Sequence, residues 1–335
     1  MQSNSSGPTL RKRILGCFAG VAIGDAIGVP WENYRAEDIL KMTGGAGVTD
    51  LQDLPAGIER KFKDARGIAL GETSDDWQLT RVVAESLIRS RGFDLIDQAL
   101  AHVAAFEKNT RGWGGSTRDS IAEIKEWFDS RGARGRNPRI APAPKKNRGL
   151  GNGVIMKIAP LACWLHWANR RAPREWDSFY DLGEMTHSDP EASACASFVA
   201  RILNHILNGT NSKDLAALVI APGPLPHQFY DPDARREILK SAELLREVAG
   251  SGFLARETAA FAFGTFLRQP RNFRAAILEA VNAGGDTDTN ASVVGALVGA
   301  SVGLDGIPAE WIKAIPAVEH EAIPCAEALM KAAAF

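Results

Sequence analysis

The sequence predicts an all-α protein, and three observations carry that reading. Apolar residues recur at helical spacing along most of the 335 positions, convincing apolar/polar alternation of a strand is absent, and the apolar faces are rich in Ala and Gly. Small residues on a helix face let two axes approach closely, so the helices are expected to pack as a compact bundle. One domain spanning residues 1–335 is expected.

The first predicted helix covers Leu10 to Ile27. Its glycines at 20, 24 and 28 are four apart and share one face, where another backbone or a ligand can press close. Further helices are predicted over Trp77 to Arg89, Leu95 to Glu107, Ser116 to Asp129, Val154 to Trp167 and Glu191 to Leu207. The C-terminal part adds Ala234 to Val248, Arg256 to Leu267, Asn272 to Val281, Thr289 to Val302 and Glu321 to Ala333. Two stretches break the pattern. Thr43 to Gly71, with its glycines, prolines and charges, reads as loop with at most a short hairpin. Residues 131–150 form a basic, Pro-rich loop, read either as a solvated insertion or as a positive rim that attracts an anionic ligand.

Composition narrows the function. A net charge of −1 argues against a nucleic-acid binder dominated by phosphate contacts, and 45% apolar residues supply an ample core. Cys17, Cys163, Cys195 and Cys325 lie in apolar stretches without metal or redox spacing, and read as reduced core residues of a cytoplasmic protein. Met1 to Pro8 is polar, without the apolar segment of a signal peptide. The apolar run Ala291 to Leu304 is shorter than the ~20 residues a bilayer span requires, so no membrane segment is expected. A monomer is expected.

Two acidic clusters stand at predicted helix starts. Asn282-Ala283-Gly284-Gly285-Asp286-Thr287-Asp288-Thr289 runs directly into an apolar helix, and Gly71-Glu72-Thr73-Ser74-Asp75-Asp76 precedes another. A helix N-terminus carries orphan N–H groups and partial positive charge, which one Asp, Ser or Thr satisfies. These stretches hold more hard oxygens than a cap requires. Together they would repel unless cations lay between them, and oxygens of this kind suit Mg²⁺, Mn²⁺ or Ca²⁺. Excess capping is the plainer alternative for either cluster alone. Glu32, just past Pro30, is an acid/base candidate or a solvated loop residue. Gly112-Trp113-Gly114-Gly115-Ser116 and Gly149-Leu150-Gly151-Asn152-Gly153 are glycine-rich turns whose N–H groups can face an anion. Neither has P-loop or Rossmann spacing. Ser188 and Glu191 read as a capping box, with His187 just outside it facing a ligand or the surface.

In their order, these motifs resemble the ADP-ribosylglycohydrolase family: GDAIGVPWE (Gly24 to Glu32), GETSDDWQLT (Gly71 to Thr80), RGWGGST (Arg111 to Thr117), GNGVIMKIAPLA (Gly151 to Ala162), THSDPEA (Thr186 to Ala192) and NAGGDTDTNASVVGALVGA (Asn282 to Ala300). The resemblance implies a compact orthogonal multi-helix bundle with a central di-metal cleft. It implies two Mg²⁺ ions, Mn²⁺ being a possible substitute, held by Ser74, Asp75, Asp76, Asp286, Asp288 and Thr289. It places Glu32 as the mobile acid near the scissile bond, with Asp75, Asp76 and Asp286 sharing the catalytic assignment. It gives Trp113, Gly114, Gly115, Ser116, Gly151, Asn152, Gly153, Met156, His187 and Gly284 to an ADP-ribose cradle. Two positions depart from the family: Ser74 and Trp77 stand where it usually has Thr, and a bulky indole beside the metals would narrow the cleft or stack on a ligand.

The expected reaction is release of ADP-ribose from a modified protein, first of all from arginine, with serine or nucleic-acid linkages next. A di-metal site would hold the ribose hydroxyls and orient water while a carboxylate moves the proton. Adenine would stack on Trp113. Two rivals stay open: a non-catalytic ADP-ribose-binding or structural relative, and a di-metal phosphodiesterase that would release AMP instead.

Overall fold

The computed structural model describes residues 7–61, 67–131, 149–168, 173–219 and 223–334. Most of the basic loop at 131–150 lies outside them. Among the described residues there are sixteen α-helices and no strand, only the isolated bridges Arg35 to Gly284 and Gly151 to Leu254. In chain order the helices are α1 (Leu10–Gly28), α2 (Ala36–Met42), α3 (Asp75–Ser90), α4 (Leu95–Lys108), α5 (Gly115–Arg131), α6 (Ala159–Trp167), α7 (Pro173–Glu184) and α8 (Pro190–Leu207). They continue as α9 (Ser212–Leu218), α10 (Pro232–Ile238), α11 (Ala242–Ala249), α12 (Ala255–Arg268), α13 (Phe273–Asn282), α14 (Thr287–Val302), α15 (Ala309–Ala314) and α16 (Ile323–Ala333).

The centre of the molecule is the antiparallel pair α1 and α14. Both are apolar nearly all round, and every residue from Ile14 to Gly28 and from Thr287 to Ala300 is buried. A helix without a polar face belongs in an interior. By length and composition Leu10–Trp31 is apolar enough to cross a membrane, and here its most apolar 18-residue window is wholly buried inside the protein. The glycine face on α1 meets backbone: a Cβ at Gly16, Gly20 or Gly24 would overlap the carbonyls of Gly299, Gly295 or Ala291 in turn. The contact is reciprocal, since a Cβ at Gly295 or Gly299 would strike Gly20 or Gly16. Side-chain hydrogen bonds lock the register, Ser292 Oγ donating to Val21 O at 3.0 Å and Thr287 Oγ1 to Gly28 O at 2.8 Å. The C-terminal end of α1 is thereby fixed against the acidic N-terminus of α14.

Three boundaries differ from the sequence reading. The helix expected from Val154 begins at Ala159, because Asn152–Val154 form a 3₁₀ turn and Pro160, lacking an N–H, sits in the first turn of α6. The helix expected over Ala234 to Val248 is two, broken where Ser241 caps α11 by accepting from Leu244 N. Asp189, rather than Ser188, caps α8, accepting from Glu191 N at 2.9 Å. Thr43 to Gly71 is loop in its described residues, and no hairpin forms there.

Candidate active site

The ends of α1, α3, α5 and α14 converge on a cavity of about 280 Å³. Its lining includes Glu32, Ser74, Asp75, Asp76, Asp286, Asp288 and Thr289, so the two acidic clusters share one site. The α3 side is built from below by Asp25. This fully buried carboxylate accepts Ser74 N and Trp77 N, each at 2.9 Å, satisfying two of the orphan donors of α3. Ser74 caps the helix by accepting from Asp76 N, which leaves the carboxylates of Asp75 and Asp76 in the cavity wall. On the opposite side, Asp286 N donates to Ser251 O and Thr289 N to Asp288 Oδ1. Thr289 Oγ1 donates to Asp76 Oδ2 at 3.2 Å and joins the two halves.

Glu32 enters from the turn after α1. Asn33 N donates to Gly285 O and Gly285 N to Tyr34 O, both at 2.8 Å, which pins that turn to the Gly284-Gly285 bend. One carboxylate oxygen from each of Glu32, Asp286 and Asp288 falls within 4.8 Å of the others. These residues fit a bound cation on two counts. Five carboxylates line the cavity and no Lys or Arg stands among its described lining residues. The other oxygen of Asp76, Oδ1, is buried without a hydrogen-bond partner.

Crowding and burial raise every carboxyl here. Asp25 is pushed to about 7 and Glu32 to about 11, first by desolvation and then by Asp288. Asp75, Asp76 and Asp286 rise well above the carboxylate range for the same two reasons. Across the site, Asn152 Nδ2 donates to Asp286 Oδ2 at 2.7 Å and to Thr258 Oγ1 at 2.9 Å. Gly114, Gly115, Ser116 and Thr117, at the start of α5, line the same cavity together with Gly151, Gly153, Met156 and His187. His187 is buried and desolvation lowers its pKa to about 3, so its ring is neutral.

The family model described as ADP-ribosylglycohydrolase matches residues 6–334. The chain belongs to this family. An ADP-ribosyl-[dinitrogen reductase] glycohydrolase from Rhodospirillum rubrum is 23% identical, over 92% of this chain and 91% of its own. ADP-ribosylarginine hydrolase Tri1 of Pseudomonas putida is 26% identical over 92% of this chain and 75% of its own, and human ADP-ribosylhydrolase ARH3 is 24% identical over 89% and 88%. A solved structure titled ADP-ribosylglycohydrolase-related protein complex superposes with a TM-score of 0.68 at 27% identity, covering 97% of this chain and 99% of that one. As an ADP-ribosylglycohydrolase, the chain is an enzyme of glycosidic ADP-ribose linkages.

Three residues assigned from the sequence lie elsewhere. Trp113 is fully buried against Phe106 and donates its indole N–H to Gln78 at 2.8 Å, so no face is open to adenine. Trp77 also turns away from the cavity, packing edge-on against Phe18 and donating to Glu321 at 2.7 Å; it neither narrows the cleft nor stacks there. Gly284, at φ 71°, serves the backbone: a side chain there would strike the chain at Tyr34 to Ala36, to which this bend is paired.

Two lining residues, Ile68 and Phe253, carry no sequence signal. Phe253, 46% exposed at the cavity, belongs to the Ser251-Gly252-Phe253 turn before α12, an irregular stretch without periodicity. Its neighbours explain its place: Phe253 O accepts Asn152 N and Ser251 O accepts Asn290 Nδ2.

The raised carboxyls dictate a linkage between protons and metal. The folded state holds protons that the unfolded chain releases near pH 4, so their contribution to stability is complete below that pH. It is lost as pH rises through about 7 for Asp25 and about 11 for Glu32. A divalent cation held by these carboxylates would compete with those protons. The metal-free protein is expected to melt lower at about pH 8 than at about pH 5.5, with saturating Mg²⁺ raising Tm more at the higher pH. Scanning calorimetry with EDTA or Mg²⁺ checks this; equal Mg²⁺ shifts at both pH values would contradict it.

Proposed function

We propose that the protein is a Mg²⁺-dependent hydrolase that removes ADP-ribose from modified protein, acting on the N-glycosidic bond to arginine. The observation that carries this reading is the meeting of two remote acidic helix starts in one cavity bordered by the N-terminus of α5 and by the Gly151–Gly153 turn. The names of the bacterial relatives, an arginine hydrolase and a dinitrogen reductase glycohydrolase, support the arginine linkage.

Ser74, Asp75, Asp76, Asp286, Asp288 and Thr289 would hold two divalent cations, with Glu32 beside them. When bound, such cations offset the clustered charge and supply Lewis-acid stabilisation of sugar and water oxygens. The chain does the rest. The start of α5 presents free N–H groups to the diphosphate, and the glycines at 151 and 153 let it approach the backbone. Asn152 holds Asp286 in one orientation through its 2.7 Å hydrogen bond. Desolvation favours the protonated form of Glu32, which suits a general acid that delivers its proton to the departing guanidine as the C1–N bond breaks. The buried surroundings keep bulk water from the oxocarbenium-like sugar.

The test is incubation of arginine-ADP-ribosylated and serine-ADP-ribosylated protein with enzyme and Mg²⁺, with chromatography of the released nucleotide. Free ADP-ribose from the arginine substrate is the expected product. Release only from serine would move the assignment to the O-linkage, AMP would mark a phosphodiesterase, and binding without release would mark a non-catalytic relative.

Phe253 takes the stacking role in this reading. Phe253→Ala is expected to weaken ADP-ribose binding about tenfold, as loss of a base–aromatic stack worth ~1–3 kcal/mol implies. Titration calorimetry of ADP-ribose would show it, and an unchanged Kd would move adenine elsewhere.

A further inference from the structure

Behind the cavity lies a chain of buried polar groups to which the hydrolytic reading gives no part. Lys157, between the Asn152–Val154 turn and α6, has no exposed surface. Its ammonium approaches His102 Nε2 on α4 at 3.5 Å and donates to Thr186 Oγ1 at 3.1 Å. Thr186 Oγ1 is 2.9 Å from His187 Nδ1. At the far end, His102 Nδ1 lies 2.8 Å from Gln98 O.

Donor and acceptor capacity orders the chain. A carbonyl only accepts, so His102 Nδ1 carries the proton and Nε2 is left as acceptor toward the lysine. An ammonium only donates, so Thr186 Oγ1 accepts from Lys157 and its own proton must go to an acceptor. Of its two side-chain partners, only His187 Nδ1 can accept it. A buried hydroxyl proton left without an acceptor costs ~1–3 kcal/mol, which decides the direction. His187 Nδ1 is then unprotonated and the proton of the neutral ring sits on Nε2. That atom borders the glycine turn, since added Cβ atoms at Gly153 and Gly151 would lie 3.2 and 3.5 Å from it.

We propose that Lys157 and Thr186 are positioning residues that lock His187 in the Nε2–H tautomer, so that it donates into the cavity to an oxygen of the substrate's diphosphate. The diphosphate assignment rests on the ADP-ribosyl reading above; the tautomer does not. An electrically neutral donor suits this place, because a second cation close to the metal ligands would compete with the metal. Desolvation and the charge of the neighbouring lysine together keep the ring in that state, holding His187 near 3.

The experiment is ¹⁵N–¹H correlation spectroscopy of histidine-labelled, ligand-free protein, with the His187 ring signals assigned by their loss in His187→Gln. The expected wild-type pattern is an unprotonated Nδ1 and a protonated Nε2. Thr186→Val, close in shape, is expected to release the ring to a tautomer mixture and raise the Kd for ADP-ribose in the presence of Mg²⁺ about tenfold. Thr186→Ser restores both. Protonated Nδ1 in the wild type overturns the proposal without recourse to any variant, as does a folded Thr186→Val protein with wild-type tautomer and affinity. A wild-type protein that shows the tautomer and binds no ADP-ribose overturns the diphosphate assignment and the functional reading while the relay itself holds.

Discussion

Asp288→Asn is expected to lower kcat about a thousandfold or more while making the metal-free protein more stable. The two effects share one cause. Asp288 is the charge that most raises Asp25 and Glu32 after burial itself, and it stands in the same place for Asp75, Asp76 and Asp286. It is therefore the electrostatic centre of the acidic wall. Removing its charge relieves repulsion among five buried carboxyls, and the amide is close in size, so packing between α1 and α14 is kept. The same charge is what a divalent cation needs. Loss of several kcal/mol of metal-derived transition-state stabilisation corresponds to three or more powers of ten in rate. Single-turnover release of ADP-ribose measures the first effect. Thermal melting in EDTA and in Mg²⁺ measures the second: Tm should rise in EDTA and the Mg²⁺-induced increase should shrink. A variant of undiminished kcat would remove Asp288 from the reaction, and a lower Tm in EDTA would mean its charge is already neutralised by a partner inside the protein.

The charge pattern that places Asp288 is legible in the sequence because it is local. A helix start saturates with one capping oxygen, so Ser74-Asp75-Asp76 and Asp286-Thr287-Asp288-Thr289 advertise a surplus that the chain must use for something. Four-residue glycine spacing on α1 likewise announced a close approach, although only the fold shows that the approaching group is α14 backbone rather than ligand. Direction was harder to read than position. Trp77 and Trp113 stand next to site residues in sequence, yet Trp77 follows Asp75 and Asp76 onto another face of α3 and ends against Phe18 and Glu321. Successive helical residues diverge by about 100°, so adjacency in sequence does not put a side chain in the cleft. Phe253 and Lys157 escaped notice for a different reason. One lies in an aperiodic turn, the other among apolar residues where its partners His102 and Thr186 arrive from distant segments. Helices α2, α7, α9 and α15 are not marked by the sequence pattern either; α2, α9 and α15 are six or seven residues long, and tertiary contact rather than propensity decides such segments.

Gly20→Val is expected to be the most damaging apolar substitution in the chain, and to damage activity through geometry rather than chemistry. Gly20 has no titratable partner and does not line the cavity. Its Cα faces the Gly295 carbonyl so closely that even a methyl group overlaps backbone atoms, which cannot swing away as a side chain tip would. Overpacking in a close-packed core costs ~1–3 kcal/mol where side chains can shift, and here the relief must come from separating two helices buried along nearly their whole length. Gly20→Ala should sit near the upper end of that range and Gly20→Val beyond it, read as lowered midpoints in urea unfolding. The separation also has a functional consequence. Asp25, on α1, holds Ser74 and Trp77 at the start of α3, whereas Asp288 opens α14, so spreading α1 from α14 pulls the two acidic walls apart. The folded fraction of Gly20→Ala should therefore bind Mg²⁺ less tightly than wild type, although the substitution lies outside the cavity. Wild-type Mg²⁺ affinity combined with clear destabilisation would show that the helix pair supports the fold without setting the distance between the carboxylates.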